Sequence, residues 1–359
     1  MIADGVGVGK TIEAGLILKE LEARNDIQSV LIICPKPLVV ERKWQDEMSS
    51  KFGEPFVPLD SATFRSVVQT AKINPNGWPM DSQYCKVIIP YSILTERNLA
   101  KEKTYPGLLH LPEKPKFDLV IVDEAHHIRN SSTKAYEAVK YFVDNADAAV
   151  FLTATPIQMG NEDLYTLLNL LAPDLVPNWQ VFELMLAPNS FVNQAISELR
   201  AQNAGWEKRA KIQLGYAAKT PWGSQVYPAN PVFRSVIEQL EKTELTDEER
   251  VSLLTDMETL HTFSPILSRT RRRDIDSCYA TRKSITVESP FLPEQKKVYD
   301  EIIRIQAEIL SIIQEDTPVA FMIKTIQRRA ASCLPGLLPF LEEILTRHIP
   351  EYEFYESDY

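Results

Sequence analysis

The stretch DGVGVGKT, residues 4–11, decides the fold. A bound triphosphate needs backbone N–H groups that converge on its oxygens, a cation beside the β and γ phosphates, and a hydroxyl that holds Mg²⁺. The three glycines of the stretch let a loop wrap without Cβ clashes, Lys10 would lie along the phosphates, and Thr11 would coordinate the metal ion. The sequence therefore predicts a nucleotide site made of Gly5, Val6, Gly7, Val8, Gly9, Lys10 and Thr11. A flexible glycine loop between a strand and a helix is the alternative that this stretch alone leaves open.

Short apolar segments alternate with amphipathic ones through the first half of the chain. After the loop, Ile12, Leu16, Ile17 and Leu21 lie on one stripe of a predicted helix. The apolar segments are rich in β-branched residues, which is typical of strands buried on both faces of a parallel sheet. They are residues 30–34, 87–89, 119–122 and 149–152. The pattern predicts an α/β fold with helices on both faces of the sheet and a functional site at the carboxyl ends of the strands.

Two adjacent acids follow the third predicted strand, in the sequence LVIVDE at residues 119–124. A phosphate-transfer site needs one acid on the side of the metal ion and a second acid that orients or deprotonates the attacking water. We assign these roles to Asp123 and Glu124, with Lys10 as the other catalytic residue. Taken alone, an Asp-Glu pair after an apolar run is also typical of a strand that ends in solvent.

The segment FLTATP, residues 151–156, places two hydroxyl groups at the tip of another strand. Thr153 and Thr155 could sense whether the γ phosphate is present. The alternative is that both residues only cap the turn into the next helix.

From about residue 173 the pattern changes to polar helices separated by segments that contain proline and aromatic residues. Thr246 and Glu249 have the spacing of a capping box and predict a helix start. A long helix is predicted from residue 293 to about 314, because apolar residues recur there every three or four positions.

Composition indicates an ordinary globular protein, with 359 residues, 44% hydrophobic and 25% charged. The formal net charge of -10 argues against nucleic-acid binding through an overall positive field, so any such surface must be local. The densest basic cluster lies at residues 269–273. Four widely separated cysteines suggest neither a zinc site nor a disulfide framework, and no apolar run approaches the roughly 18 residues of a membrane span. We expect a cytoplasmic protein with no membrane partner.

Taken together, DGVGVGKTIEAG, LIICP with Trp44 downstream, DEAHHIRN and LTATPIQ followed by DLYTLLNLLAP resemble the ordered motifs of Swi/Snf-type ATPases in the second helicase superfamily. The resemblance is to the bacterial branch typified by the RNA-polymerase-associated translocase. Asp4 departs from the general phosphate-loop signature, which begins with glycine, and matches the form of this family. Gly5 replaces the glutamate usual there.

The resemblance implies a RecA-like phosphate-loop lobe with a mostly helical protrusion and a connector. The corresponding regions are 1–175 for the ATP-binding lobe, 176–290 for the protrusion and return to the lobe, and 291–359 for linking helices toward a second lobe. It implies ATP and Mg²⁺ as cofactors, double-stranded DNA as a partner that needs the second lobe, and a location near the nucleoid. His126, Thr153 and Thr155 would couple ATP to movement, and Arg269, Arg271 and Arg272 would contact DNA or the other lobe.

The same resemblance leads us to expect a chain truncated at both ends and weakly active alone. A different hypothesis is a non-catalytic nucleotide-binding scaffold in a transcription or defence complex. A third is an RNA helicase of the DEAH kind, which shares the DEAH letters but lacks the LLNLLAP extension.

Overall fold

The computed structural model describes residues 1–313 except 6, 25–26, 75–76, 81–82, 102–104, 155–159, 243–244 and 270–289, and for 306–313 it describes the backbone alone. The chain divides into two compact units, Met1–Ser277 and Cys278–Tyr359. The first unit contains all the described parts of the predicted nucleotide site. The division into three functional regions stays a prediction.

A five-stranded parallel sheet forms the centre of the first unit, in the order β2-β3-β1-β4-β5. Its strands are β1 Val30–Cys34, β2 Val57–Pro58, β3 Lys86–Pro90, β4 Leu119–Val122 and β5 Ala148–Phe151. The four predicted strands and the α/β class are confirmed, and β2 is an additional edge strand. β5 begins and ends one residue earlier than predicted, and Leu152, directly after it, forms a parallel bridge with Ile2.

Helices cover both faces of the sheet, as the apolar strands require. They are α1 Lys10–Arg24, α2 Lys36–Val40, α3 Lys43–Phe52, α4 Ser61–Ile73, α5 Glu96–Leu99, α6 Lys134–Val143 and α7 Asn161–Leu171. In β1, Val30 and Ile32 face a core that also contains Leu18 of α1 and Trp44 of α3. Leu31 of the same strand faces the opposite core, which α4 and α6 complete. This alternation is the period-two geometry of a strand buried on both sides.

The residues that lead into the phosphate loop are paired on both sides. The N–H of Ile2 donates to the Phe151 carbonyl at 2.7 Å, and the Ile2 carbonyl accepts from the N–H of Thr153 at 3.0 Å. On the other side, Ala3 donates to the Ser268 carbonyl at 2.8 Å and Ser268 donates to the Met1 carbonyl at 2.9 Å. The loop therefore starts from a fixed position between β5 and the segment that returns from the helical region.

The helical region follows α7 and has a core of its own. Its helices are α8 Trp179–Leu186, α9 Asn189–Ala201, α10 Trp206–Ala217, α11 Gly223–Val226, α12 Pro231–Gln239 and α13 Asp247–Thr259. Val192, Leu214 and Leu253 are fully buried in this core. The predicted capping box starts α13, since Thr246 and Glu249 each accept a hydrogen bond from the other residue's backbone N–H.

The described part of the second unit is dominated by α14 Pro293–Ile313, which confirms the long helix predicted from residue 293. Val298 and Ile305, on its predicted apolar stripe, are each about half exposed. Across the described ranges of the whole chain, no helix combines the length and apolarity of a membrane span.

Candidate functional site

The phosphate loop has the backbone that its glycines permit. Gly7 and Gly9 have φ of 78° and 113°, a left-handed region that favours glycine. The Gly9 carbonyl accepts from the N–H groups of Ile12 and Glu13 at 2.8 and 3.0 Å, and this starts α1 at Lys10. The amides at a helix start point outward and, with the helix dipole, favour an anion. Val6 lies outside the described residues.

The Lys10 side chain turns back toward its own loop. Its Nζ lies 3.3 Å from the Asp4 carbonyl and 3.4 Å from the Gly5 carbonyl, so the ammonium is held at the mouth of the loop by backbone oxygens. Burial raises the pKa of the Asp123 carboxyl, and the charge of Lys10 is one of the effects that oppose this rise. The structure thus brings together two motifs that are more than a hundred positions apart in the sequence.

Asp4, the residue that departs from the general signature, is almost fully buried. Its side chain shares a hydrogen bond with Glu13 on the first turn of α1. Burial, followed by this hydrogen bond and the charge of Asp4, raises the pKa of Glu13 to about 7, and Lys10 opposes the shift. Asp4 therefore links the start of the loop to the helix that follows it.

Asp123 is buried at the carboxyl end of β4, with 6% of its surface exposed. Its Oδ2 accepts from the Trp44 indole N–H at 2.9 Å, and its Oδ1 accepts from the Glu124 N–H at 2.8 Å. Burial raises the pKa of the Asp123 carboxyl, while the Trp44 hydrogen bond opposes this effect. Its own N–H donates to the Ile33 carbonyl of β1 at 2.8 Å, so two neighbouring strands fix this tip.

Glu124 has a left-handed backbone, with φ 49° and ψ 50°, which is uncommon for a residue with a side chain. The turn directs the next residue toward the segment after β5, because the Ala125 N–H donates to the Leu152 carbonyl at 2.9 Å. The Glu124 carboxylate is about 29% exposed and reaches solvent, and its Oε2 lies 3.2 Å from Nδ1 of His126.

His126 is the first of three neighbouring rings, of which the first two are stacked. The His126 and His127 rings lie 4.6 Å apart, and His127 lies 5.2 Å from Tyr91, just beyond β3. The Tyr91 hydroxyl donates to the Asp123 carbonyl at 2.9 Å. Burial, and then the charge of His126, lower the pKa of His127. The predicted coupling residue His126 therefore lies close to Glu124 and reaches the Asp123 backbone only through the His127 and Tyr91 rings.

The remaining predicted site residues fall in different places. Thr153 is fully buried next to Ile2, and Thr155 lies outside the described residues. Arg269 lines an open cavity of about 790 Å³ between α7, α9 and α13, which Arg200 and His261 also line. Burial, helped by the Arg269 charge, lowers the pKa of His261 to about 4. Arg271 and Arg272 lie outside the described residues.

Sequence reasoning missed the roles of Glu13, Trp44 and Tyr91. A Tyr directly after a strand, at the edge where the acids end, was a usable signal for Tyr91. A carboxylate on the first turn after Lys-Thr was a weak signal for Glu13. No local pattern pointed from Trp44 to Asp123, which is 79 positions away.

The donor set fits Mg²⁺ bound together with phosphate rather than a metal ion held by the protein alone. Within the described ranges, no group of three or more His, Cys, Asp and Glu side chains could hold a metal ion. Magnesium commonly takes one or two protein oxygens and completes its shell with phosphate and water. The Thr11 hydroxyl and the Asp123 carboxylate, both nearly buried beside the loop, are oxygen ligands of that kind.

Comparison with known proteins finds relatives over almost the whole chain. The chain is 28% identical over 346 residues to an uncharacterized ATP-dependent helicase, YqhH, of Bacillus subtilis (strain 168), covering 96% of this chain and 45% of that protein. It is 30% identical over 297 residues to the RNA polymerase-associated protein RapA of Pasteurella multocida (strain Pm70), covering 81% of this chain and 28% of that protein. The chain thus spans less than half the length of these two relatives.

Two solved structures match over most of this chain with low TM-scores. The Sulfolobus solfataricus SWI2/SNF2 ATPase core in complex with double-stranded DNA matches with a TM-score of 0.41 and 16% identity, covering 96% of this chain and 59% of that one. The Pyrococcus furiosus Hef helicase domain matches with a TM-score of 0.31 and 14% identity, covering 97% and 70%. The family model described as the SNF2-related domain matches residues 1–337, and this chain therefore belongs to the SNF2-related domain family.

Proposed function

We propose that this chain is the ATP-binding lobe of a motor that hydrolyses Mg-ATP and translocates on double-stranded DNA. The observation that carries the proposal is that the loop and the acid lie at the same edge of the sheet. The Ile2 N–H donates to the Phe151 carbonyl at the end of β5, and Phe151 pairs with Val122, directly before Asp123. Membership in the SNF2-related domain family supports ATP as the nucleotide.

Each residue of the site has a distinct role in the proposed reaction. Lys10 leaves the carbonyls of Asp4 and Gly5 and follows the phosphates when nucleotide enters the loop. Thr11 and Asp123 would hold Mg²⁺, which neutralises charge on the phosphate oxygens when bound. Glu124 orients the attacking water and accepts its proton, for which its partly exposed carboxylate is suited. His126 lies beside this carboxylate, with its Nδ1 3.2 Å from Oε2 of Glu124.

Partners are proposed by likeness to the relatives. One solved structure of similar outline is an ATPase core bound to double-stranded DNA, and one relative is associated with RNA polymerase. We therefore propose duplex DNA as the track, a transcription or defence complex as the protein partner, and the cytoplasm near the nucleoid as the location. Arg269, Arg271 and Arg272 are proposed contacts to DNA or to a second lobe.

A second lobe would supply arginines to the γ phosphate, an effect worth roughly 10³ to 10⁵ in turnover in related phosphate-loop enzymes. We therefore expect the 359-residue chain to bind ATP and to hydrolyse it slowly, with or without duplex DNA. Rapid DNA-stimulated turnover by this chain alone would contradict the need for a second lobe. Binding without turnover even after a second lobe is added would favour the scaffold hypothesis instead.

Lys10→Ala tests the nucleotide site. Loss of a charge-assisted contact to phosphate is expected to weaken ATP binding by about 10- to 100-fold. Lys72→Ala, at an exposed position near the end of α4, is the control and should bind like the unaltered chain. Titration with a fluorescent ATP analogue measures both. Equal affinities for the two variants would rule out the site.

A further inference from the structure

Three hydrogen bonds converge on Asp123 from outside the phosphate loop. Each carboxylate oxygen accepts one, Oδ2 from Trp44 and Oδ1 from the Glu124 N–H, and the carbonyl oxygen accepts one from the Tyr91 hydroxyl. A carboxylate oxygen has two acceptor positions, so one position on each oxygen remains for a metal ion. The donors therefore fix the plane of the carboxylate and leave acceptor positions open for a metal ion.

The Trp44 donor is itself rigidly held. Its side chain is fully buried in the core between α3 and the sheet, together with Met48 of the same helix. At the other end of α3, the Phe52 ring lies against Gly15 of α1, so closely that a Cβ at that glycine would be 2.2 Å from a ring carbon. Helix α3 thus contacts both the helix that starts at the phosphate loop and the acid at the tip of β4.

We propose that Trp44 and Tyr91 are positioning residues that orient Asp123 for Mg²⁺, an inference that rests on the proposed function. Trp44 sets the direction of the carboxylate, and Tyr91 holds the backbone turn that carries it. Partners in the outer shell of a metal site change metal affinity or activity by about 10- to 100-fold when they are removed. The effect should therefore concern Mg²⁺ rather than the nucleotide itself.

The chain offers matched controls for both residues. Trp78 is as buried as Trp44, and its indole N–H donates to the Tyr84 carbonyl at 3.1 Å, away from the acids. Tyr227 is buried in the helical region, and its hydroxyl donates to the Leu260 carbonyl at 2.9 Å. Trp78→Phe and Tyr227→Phe therefore remove the same groups as Trp44→Phe and Tyr91→Phe without touching Asp123.

The experiment titrates Mg²⁺ into the 359-residue chain with a fluorescent ATP analogue and repeats the binding in EDTA. Trp44→Phe should raise the Mg²⁺ concentration at half-maximal binding about tenfold. Tyr91→Phe should raise it about two- to fivefold, as expected for one hydrogen bond. Affinity in EDTA should stay unchanged in both, and the two controls should titrate like the unaltered chain.

Three outcomes overturn the inference. They are an unchanged Mg²⁺ midpoint, an equal loss in Mg²⁺ and in EDTA, and an equal shift in the controls. If Trp44→Phe does not fold, the Tyr91→Phe midpoint decides alone. Asp123→Asn distinguishes failure of the proposed function from failure of the positioning roles. If this variant keeps its Mg²⁺ dependence, the proposed function fails. If it loses that dependence while Trp44→Phe and Tyr91→Phe do not change theirs, only the positioning roles fail.

Discussion

Glu124 combines two demands that conflict at a single residue. Its carboxylate is needed as the proposed base, while its backbone holds a left-handed conformation that glycine adopts more readily. That conformation costs a residue with a Cβ about 1 kcal/mol. Such local strain is typical of active sites, where a side chain must be presented at a sharp turn.

Replacing Glu124 by Gly separates these two demands. Glu124→Gly should raise the free energy of unfolding by up to about 1 kcal/mol, because the strain is relieved, and should abolish ATP hydrolysis. Thermal unfolding and single-turnover hydrolysis of the chain, with an added second lobe if turnover requires one, measure the two effects.

Two variants serve as controls for this gain in stability and loss of hydrolysis. Glu124→Gln keeps the strained backbone and should lose hydrolysis without gaining stability. Gln202→Gly relieves a similar φ of 51° at the end of α9 and should gain stability while leaving nucleotide binding unchanged. A Glu124→Gly variant that is no more stable than Glu124→Gln would show that the turn is not strained.

At the scale of elements, α1 and α3 pack together as a helix pair beside the sheet. Besides the contact of Gly15 with Phe52, Lys19 of α1 pairs with Glu54, just after α3. Lys86 of β3 pairs with the same Glu54 at 2.5 Å and with Glu22 of α1 at 2.9 Å. Two helices and a strand are therefore joined by packing at one side and by partly buried ion pairs at the other.

Gly15→Ala should disturb the packing of this helix pair. The added methyl group overlaps the Phe52 ring, so we expect a loss of about 1–3 kcal/mol in unfolding free energy and weaker ATP binding. Gly215→Ala, in α10, is the matched control, since a Cβ there meets no atom within 4 Å. That variant should gain about 0.5–1 kcal/mol from helix propensity. Chemical denaturation measures both, and equal changes would argue against close packing at Gly15.

Some elements could be predicted from the sequence and others could not. Strands β1 and β4 were predictable, because burial on both faces leaves a continuous apolar run. Strand β2 was not, since two residues at a sheet edge, one of them Pro58, give no periodic signal. The two acids could be predicted from the strand that precedes them. The Trp44 hydrogen bond could not, because it arises only when α3 packs across the end of β4.

At the scale of the molecule, the first unit contains separate hydrophobic cores. Two lie on the faces of the sheet, and another lies within the helical region around α9, α10 and α13. The buried residues of these three cores do not overlap, and a fourth cluster around Phe182 and Phe263 joins α7 to α8. The helical-region core can therefore lose packing without directly exposing the cores on the sheet. The residues of the proposed nucleotide site lie on the sheet side.

Leu253→Ala should therefore destabilise the helical region selectively. A fully buried leucine replaced by alanine costs about 2–5 kcal/mol, and we expect faster amide hydrogen exchange in α9, α10 and α13. ATP affinity should remain within about threefold, because no site residue belongs to that core. Leu18→Ala makes the same change in α1, the helix that begins at the phosphate loop, and should weaken ATP binding. Equal losses of binding in the two variants would show that the cores behave as one.

The backbone pairing of residues 1–3 has a mechanical consequence. Ser268 holds Met1 and Ala3 through two hydrogen bonds in a parallel bridge, and the next residue after Ala3 is the first of the phosphate loop. A force along the chain at Ser268 would act parallel to the paired segments. Both hydrogen bonds would then carry the force together and break together. Tension in the segment that carries Arg269 would therefore be transmitted directly to the start of the proposed phosphate loop.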